Sequence, residues 1–283
     1  MLLALGLVVV ISLGCISAPD KPESAPTSAT SVKEIGISGS TTVLPLVELA
    51  AEQYNAAQNK TRVSVTGGGS GVGITNVVKG MSQIGMISRD VKEDERKKYE
   101  TPTNKFAETP IAFDSIVVVV SPAVYESGVK NLNKSQLKEI YAGNITNWKE
   151  VGGADDQIYV IGREQGSGTR DTFDQFIFGS ASVASPGVKT VASGNAEVKG
   201  AVAGGDNAVG YVGIEFASGK VRALTLDGIT ANIATTKSGE YPLARKLNLV
   251  TLGDRPPEAQ QFIDYVVGPE GQKIAADNGF VTL

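Results

Sequence analysis

The chain is predicted to be an α/β protein of two lobes, each a mainly parallel sheet covered by helices, with a ligand cleft between them. Three observations carry that expectation. Strand-like and helix-like stretches alternate from Lys33 onward. The run from Ile116 to Val120 is unbroken and β-branched, as in a strand buried on both faces. Three loops rich in glycine and hydroxyls each link a strand pattern to a helix pattern, and in parallel sheets ligands sit at such carboxyl ends of strands.

Taken in order, Ile35–Ser38 reads as a short strand, and Gly39-Ser40-Thr41-Thr42 leads into a helix from Val43 to Tyr54. Arg62–Thr66 is a second strand, followed by Gly67-Gly68-Gly69-Ser70-Gly71 and a helix through Val77-Val78. Ile84–Ser88 reads as a third strand, and the charged run Lys92–Lys98 as a solvated helix face. After the Ile116–Val120 strand a second alternating set begins. It holds a helix near Lys134–Tyr141, a strand at Ile158–Ile161 and the loop Arg163-Glu164-Gln165-Gly166-Ser167-Gly168-Thr169. That loop opens a helix whose Phe173, Phe176 and Ile177 share one face, and a strand at Val209–Val212 follows. The C-terminal part contributes the strand Leu247–Val250 and an amphipathic helix from Pro257 to Val267. Residues 33–115 plus 222–283 are assigned to the first lobe and 116–221 to the second.

The stretch Met1–Leu13 is apolar apart from Ser12, too short for a bilayer-spanning helix, and reads as a signal peptide, with no Lys or Arg ahead of it. Small residues before the chain's single cysteine resemble a lipobox, so residues 1–14 are expected to be removed and Cys15 lipidated. Residues 15–32, rich in Ser, Pro, Ala and Thr, form a flexible tether. A plain secretory signal with an incidental cysteine is the alternative. Cleavage before Cys15 leaves 269 residues with a mildly acidic balance, which disfavours nucleic acid as a partner. One cysteine allows no internal disulfide. The absence of histidine excludes Ser-His-Asp and Cys-His catalysis and His-ligated zinc.

The three loops share one chemistry. Each places hydroxyls and backbone N–H groups at a helix N-terminus, the equivalent of about half a positive charge. Arg163 adds a planar fork of donors to the third. A donor-only cradle suits a small oxyanion, whereas a single such loop would be no more than an ordinary helix cap. Catalytic and nucleotide-binding patterns fail. Ser70 and Ser167 are not in G-x-S-x-G, since Val72 and Gln165 break it. Gly219-Lys220 is preceded by Ile214 where a P-loop requires glycine. No catalytic residue, metal ligand or cofactor is assigned.

The chain resembles the phosphate-binding proteins that serve ABC-type phosphate importers, of the type II periplasmic-binding-protein fold. The resemblance runs from about Lys33 to Leu283. It rests on Gly39-Ser40-Thr41-Thr42, Gly68-Gly69-Ser70-Gly71, Ser88-Arg89, Asn144–Trp148, Arg163–Arg170 and Ser238–Arg245. It implies inorganic phosphate held dehydrated between the lobes by Ser40, Thr41, Thr42, Ser70, Arg163, Ser167, Gly168 and Thr169. It also implies ABC permease and ATPase subunits as partners, and a structural role for Tyr241-Pro242 and Arg245 near the hinge. The expected protein is a monomer, held at the outer face of the cell membrane by lipidated Cys15, with hinge strands near Ile116–Val120 and Val221–Leu226. Relatives often carry an aspartate right after the serine that is Ser88 here, as acceptor of the phosphate proton. This chain has Arg89 in that slot, which leaves Asp90 and Asp114 as candidate acceptors. Asp90 could instead cap a helix, and Asp114 could pair with Arg89 or Arg163. Arg89 is either a ligand contact or an ion-pair partner. Other readings are a receptor for sulfate, molybdate or tungstate, an anchored phosphate-ester hydrolase, and a signalling or adhesion protein without transport.

Overall fold

The computed structural model describes residues 32–181 and 183–283, so the signal peptide, Cys15 and nearly all of the tether lie outside the described residues. The chain runs β1 (Lys33–Gly39), α1 (Leu44–Ala57), β2 (Thr61–Gly67), α2 (Ser70–Val78), β3 (Ile84–Ile87), α3 (Glu93–Tyr99) and β4 (Phe106–Val120). It continues with α4 (Pro122–Glu126), β5 (Asn131–Leu132), α5 (Lys134–Ala142), β6 (Tyr159–Arg163), α6 (Gly168–Phe178), β7 (Val188–Ala192) and α7 (Asn195–Gly204). Then follow β8 (Ala208–Gly213), β9 (Arg222–Ala223), β10 (Thr225–Leu226), α8 (Ile233–Ser238), β11 (Ala244–Leu252), α9 (Pro257–Val267) and α10 (Pro269–Asp277).

Strand order is β2-β1-β3-β11-β4-β8-β6-β7, with β9 also on β4. The β1, β2 and β3 group is parallel, as is the β6, β7 and β8 group, which matches the βαβ grammar of the sequence. The centre departs from it. There β4 and β11 run antiparallel to their neighbours. Strand β4 is three times the length of the Ile116–Val120 run that announced it. Its half from Phe106 to Ser115 pairs with β11 and its half from Ile116 to Val120 pairs with β8, so one strand serves both groups. Glu108, Pro110 and Asp114 hide the first half from a hydrophobicity reading. Pro110 is accommodated because the register slips beside it, leaving Ile111 unpaired opposite Leu247/Asn248.

The apolar packing divides at the same place. One cluster, including Ile35, Leu46, Met86, Ala112, Leu247 and Phe262, draws on residues 35–112 and 247–280. A second, with Ile116, Tyr141, Trp148, Phe173, Tyr211 and Leu243, draws on residues 116–243. A third lies around Val117, Val119, Ile161, Val198 and Val212. Leu224, Leu226, Tyr241 and Leu243 pack in the second cluster, so the packing changes side between Leu243 and Leu247 rather than at 222. The short β9, β10 and α8, which lack a periodic signal, carry this stretch.

Two of these elements position the loops. Phe173 stacks on Tyr211 with centroids 4.0 Å apart and meets Tyr141 edge-on at 4.8 Å. This aromatic cluster anchors α6 by its apolar face and leaves its first turn to the loop. Trp148 is buried, its indole N–H donating to the Asn207 carbonyl, in keeping with a packing role.

Candidate functional site

Three helix N-termini meet at one point. Ser40 and Thr42 before α1, Ser70 at the start of α2, and Ser167 and Thr169 at the start of α6 are each at most 2% exposed. Thr42 Oγ1 lies 3.1 Å from Thr169 Oγ1, across 127 residues of sequence. The backbone of Gly71 donates to the Gly166 carbonyl at 2.9 Å, so the second and third loops touch directly. Capping explains only part of this. Ser167 caps α6 through the N–H of Arg170, but no side chain caps α1 or α2. Ser40 Oγ accepts the Thr42 N–H in the turn ahead of α1, but Thr41, Thr42 and Ser70 take no part in closing their own helices.

The wiring behind them makes the site a donor surface. Arg163, 2% exposed, is bidentate to Glu164 at 2.8 and 2.9 Å. It also reaches Thr41 Oγ1 at 3.2 Å and Asn195 Oδ1 at 3.5 Å. Of the five guanidinium N–H groups one, on Nη1, is left without an acceptor among these. Asn195, fully buried, opens α7 and was not among the residues picked from the sequence. Its Oδ1 accepts from the N–H of Gly213 at 3.1 Å, which identifies the other amide atom as nitrogen. That nitrogen donates to Thr42 Oγ1 at 2.9 Å and Thr41 Oγ1 at 3.3 Å. Thr41 Oγ1 accepts again from Arg163, and Thr42 Oγ1 again from Arg245 at 3.3 Å. With two acceptor positions used on each oxygen, the Thr42 hydroxyl donates to Thr169 Oγ1, which leaves the protons of Thr41 and Thr169 to face an anion. The signal was present in Ser193-Gly194-Asn195, a fourth strand-to-helix loop. Asparagine at a helix start reads as a cap, so it drew no notice.

The second loop completes the surface. Ser70 Oγ accepts from the Ser88 N–H at 3.1 Å and lies 3.4 Å from Ser88 Oγ. Gly168 passes so close to both that a Cβ there would stand 2.2 Å from Ser70 Oγ.

The uncertain residues separate clearly. Arg89 is an ion-pair partner. Its Nε donates to Asp171 at 2.9 Å, and its other nitrogens donate to Glu95 at 2.9 and 2.7 Å and to the Asp90 carbonyl. Lys92 adds a contact to Asp171 at 2.8 Å, so the charged run is not wholly a solvated face. Asp171 lies in the first turn of α6, and these pairs join the third loop's helix to the segment after β3. Asp90 is exposed. Asp114 is fully buried, and its partner is neither Arg89 nor Arg163 but Arg245, whose Nε donates to it at 2.7 Å. Arg245 also donates to the Ser88 carbonyl at 3.0 Å, and Tyr241 donates its hydroxyl proton to the Ile116 carbonyl at 3.2 Å. These two therefore brace the crossing strands and the backs of the loops.

The arrangement stabilises negative charge mainly through dipoles. Glu164 largely offsets the charge of Arg163, while three helix ends contribute about half a positive charge each. In a water-excluded setting such donors act far more strongly than at a surface. Among the described residues no base contacts Ser70 or Ser167, whose partners are Ser88 and the Arg170 N–H. The geometry suits holding a small, multiply charged oxyanion rather than transforming it.

Comparison with known proteins agrees with that chemistry. A sequence profile describing a PBP superfamily domain matches residues 24–270. The phosphate-binding protein PstS of Bacillus subtilis is 32% identical over all of this chain and 93% of its own length. That of Borreliella burgdorferi is 28% identical over 89% of this chain and 90% of its own. Among solved structures, a Clostridium perfringens chain superimposes with a TM-score of 0.81 at 33% identity, over 89% of this chain and 100% of its own. It is described as a phosphate ABC transporter substrate-binding protein and was crystallised with phosphate bound. An ABC-type phosphate transport receptor from Vibrio cholerae superimposes with a TM-score of 0.73 at 32% identity, over 88% of this chain and all of its own.

Proposed function

The chain belongs to the phosphate-binding proteins of the PBP superfamily, and from that premise we propose that it binds inorganic phosphate where α1, α2 and α6 begin and delivers it to an ABC importer. It is an extracytoplasmic binding protein and not an enzyme. One observation carries the assignment of the site. Hydroxyls from three helix starts converge with one spare guanidinium N–H in a largely buried cluster, where Asn195, Arg163 and Arg245 fill the acceptor positions of Thr41 and Thr42. Thr41, Thr42, Ser70, Arg163, Ser167, Gly168 and Thr169 are the proposed ligands, with Ser40 bracing the Thr42 N–H at 3.2 Å. Arg89 and Asp90 leave the ligand set, and Asp114 serves as the partner of Arg245.

The lobes are proposed to hinge where packing changes side, at Ala112–Ile116 and Leu243–Leu247. Lipidation of Cys15 would tether the domain to the outer face of the membrane, and it would act as a monomer. Among the described residues no helix is long and apolar enough to cross a membrane.

Calorimetry of the purified domain with phosphate, sulfate, molybdate and tungstate tests the assignment. Phosphate is expected to bind far more tightly than the others. Sulfate binding of comparable strength, or turnover of a phosphate ester, would overturn it. A second prediction concerns the ion pairs that join α6 to the segment after β3. Asp171→Asn keeps the shape but removes the charge that Arg89 and Lys92 share. It is expected to speed phosphate release about tenfold, a cost of about 1.4 kcal/mol, below the cost of leaving a buried ion wholly unpaired. Stopped-flow release rates would check it.

A further inference from the structure

A second buried acid stands behind the site, in the turn that follows β8. Glu215 has both carboxyl oxygens buried without a hydrogen bond of ordinary geometry, its nearest polar groups being its own backbone N–H and the Asp114 carboxyl. They lie against the backbone of Gly213, where a Cβ would be 2.6 and 2.7 Å from them and 2.9 Å from the methyl of Thr42. The carboxyl is thus one side chain away from the Thr42–Thr169 hydroxyl pair. From β4 it faces Asp114 and from β11 it faces Arg245. On α7, which packs on the same turn, Val198 and Val202 are apolar, Glu197 is turned to Ser193, and Lys199 lies toward Gly219.

Two acids therefore share one cation. Asp114 already takes the Arg245 guanidinium twice, at 2.7 and 2.6 Å, and the Ile214 N–H at 3.0 Å. Among the described residues no second cation pairs with Glu215, and a buried carboxyl stays neutral unless it is paired. We propose that Glu215 sets the charge of the anion site: its carboxyl stays protonated beside Asp114, so that a bound dianion meets no unbalanced negative charge behind Thr42. Burial, together with the Asp114 charge, holds this carboxyl well above the ordinary range in support of that reading. The inference rests on the phosphate assignment for its purpose but not for its test.

Infrared spectra of the purified domain at about pH 8, where Asp174 (pushed up to about 6 by burial) is ionised, taken with and without inorganic phosphate, would resolve the carboxylic-acid C=O stretch from those of ionised carboxylates. The wild type is expected to show that band and Glu215→Gln to lack it. In Asp114→Asn, Arg245 is released to Glu215, which then ionises, and the band should vanish as well. Unfolding gives a second readout. A carboxyl whose folded pKa is raised contributes stability that is full below its unfolded pKa and declines as pH rises toward the folded one. The wild-type folding equilibrium should therefore fall by up to about tenfold per pH unit in that window, and Glu215→Gln should remove that slope. A wild type without the band, or a band that persists in Glu215→Gln, overturns the proposal. Absence of phosphate binding in calorimetry would instead sink the functional assignment, while the band in the anion-free protein still decides the state of Glu215.

Discussion

Replacing Arg163 by methionine is expected to weaken phosphate binding by about a hundredfold or more. Methionine keeps much of the apolar stem, so the surrounding packing changes little. What is lost is the charge-assisted donation to the anion, together with the bond that helps turn the Thr41 hydroxyl outward. Each hydrogen bond to a charged group is worth about 1.5–3 kcal/mol, and two such losses reach about 3 kcal/mol, a factor of a hundred. Glu164 adds to the deficit. Its carboxylate is neutralised by the Arg163 fork at 2.8 and 2.9 Å and would otherwise face the anion as a like charge. Titration calorimetry measures the loss, with circular dichroism to verify folding. Affinity within fivefold of wild type would place the anion elsewhere.

The second large effect comes from a single methyl group. Gly168→Ala would put a Cβ 2.2 Å from Ser70 Oγ and 2.8 Å from Ser88 Oγ. Ser70 is fully buried and held by the Ser88 N–H, so it has nowhere to retreat. The third loop must then back away from the second, and an oxyanion spanning both loses one set of donors. Affinity is expected to fall about a hundredfold or more, by the same reckoning of two charge-assisted bonds. Stability is expected to fall as well, by about 1–3 kcal/mol, because the added methyl overpacks a buried contact between the loops. Affinity near the wild-type value would count against a close approach of the two loops.

The elements of this protein were largely legible because each follows local rules. Pro257–Val267 reads as a helix from its apolar spacing and is one over the same residues. The Ile84, Ile158 and Val209 stretches announce strands as short apolar segments alternating with helix patterns. The loops before α1, α2 and α6 could be singled out because one glycine-and-hydroxyl pattern recurs three times between strand and helix, where any one alone reads as an ordinary cap. Residues whose role depends on distant partners were not legible. Phe106–Ser115 is strand because β11 lies beside it, although Pro110 and Asp114 argue against one locally. Asn195 resembles any helix cap, and its contacts to Thr41 and Thr42 span 154 and 153 residues. Asp90 and Asp114 were equivalent candidates on paper; exposure of one and the Arg245 partner of the other separate them.

The amino-acid sequence alone determined that this is an α/β protein with three anion-type helix starts and without histidine chemistry. Those properties are local or compositional, so spacing and residue type suffice. The tertiary structure alone decided which partners the loop hydroxyls meet, that Arg89 and Asp171 join two segments 82 residues apart, and that Arg245 pairs with Asp114 while Glu215 lies beside them. Hydrogen-bond direction and charge balance depend on neighbours within a few ångströms, and the folded chain brings those neighbours together from every part of the sequence.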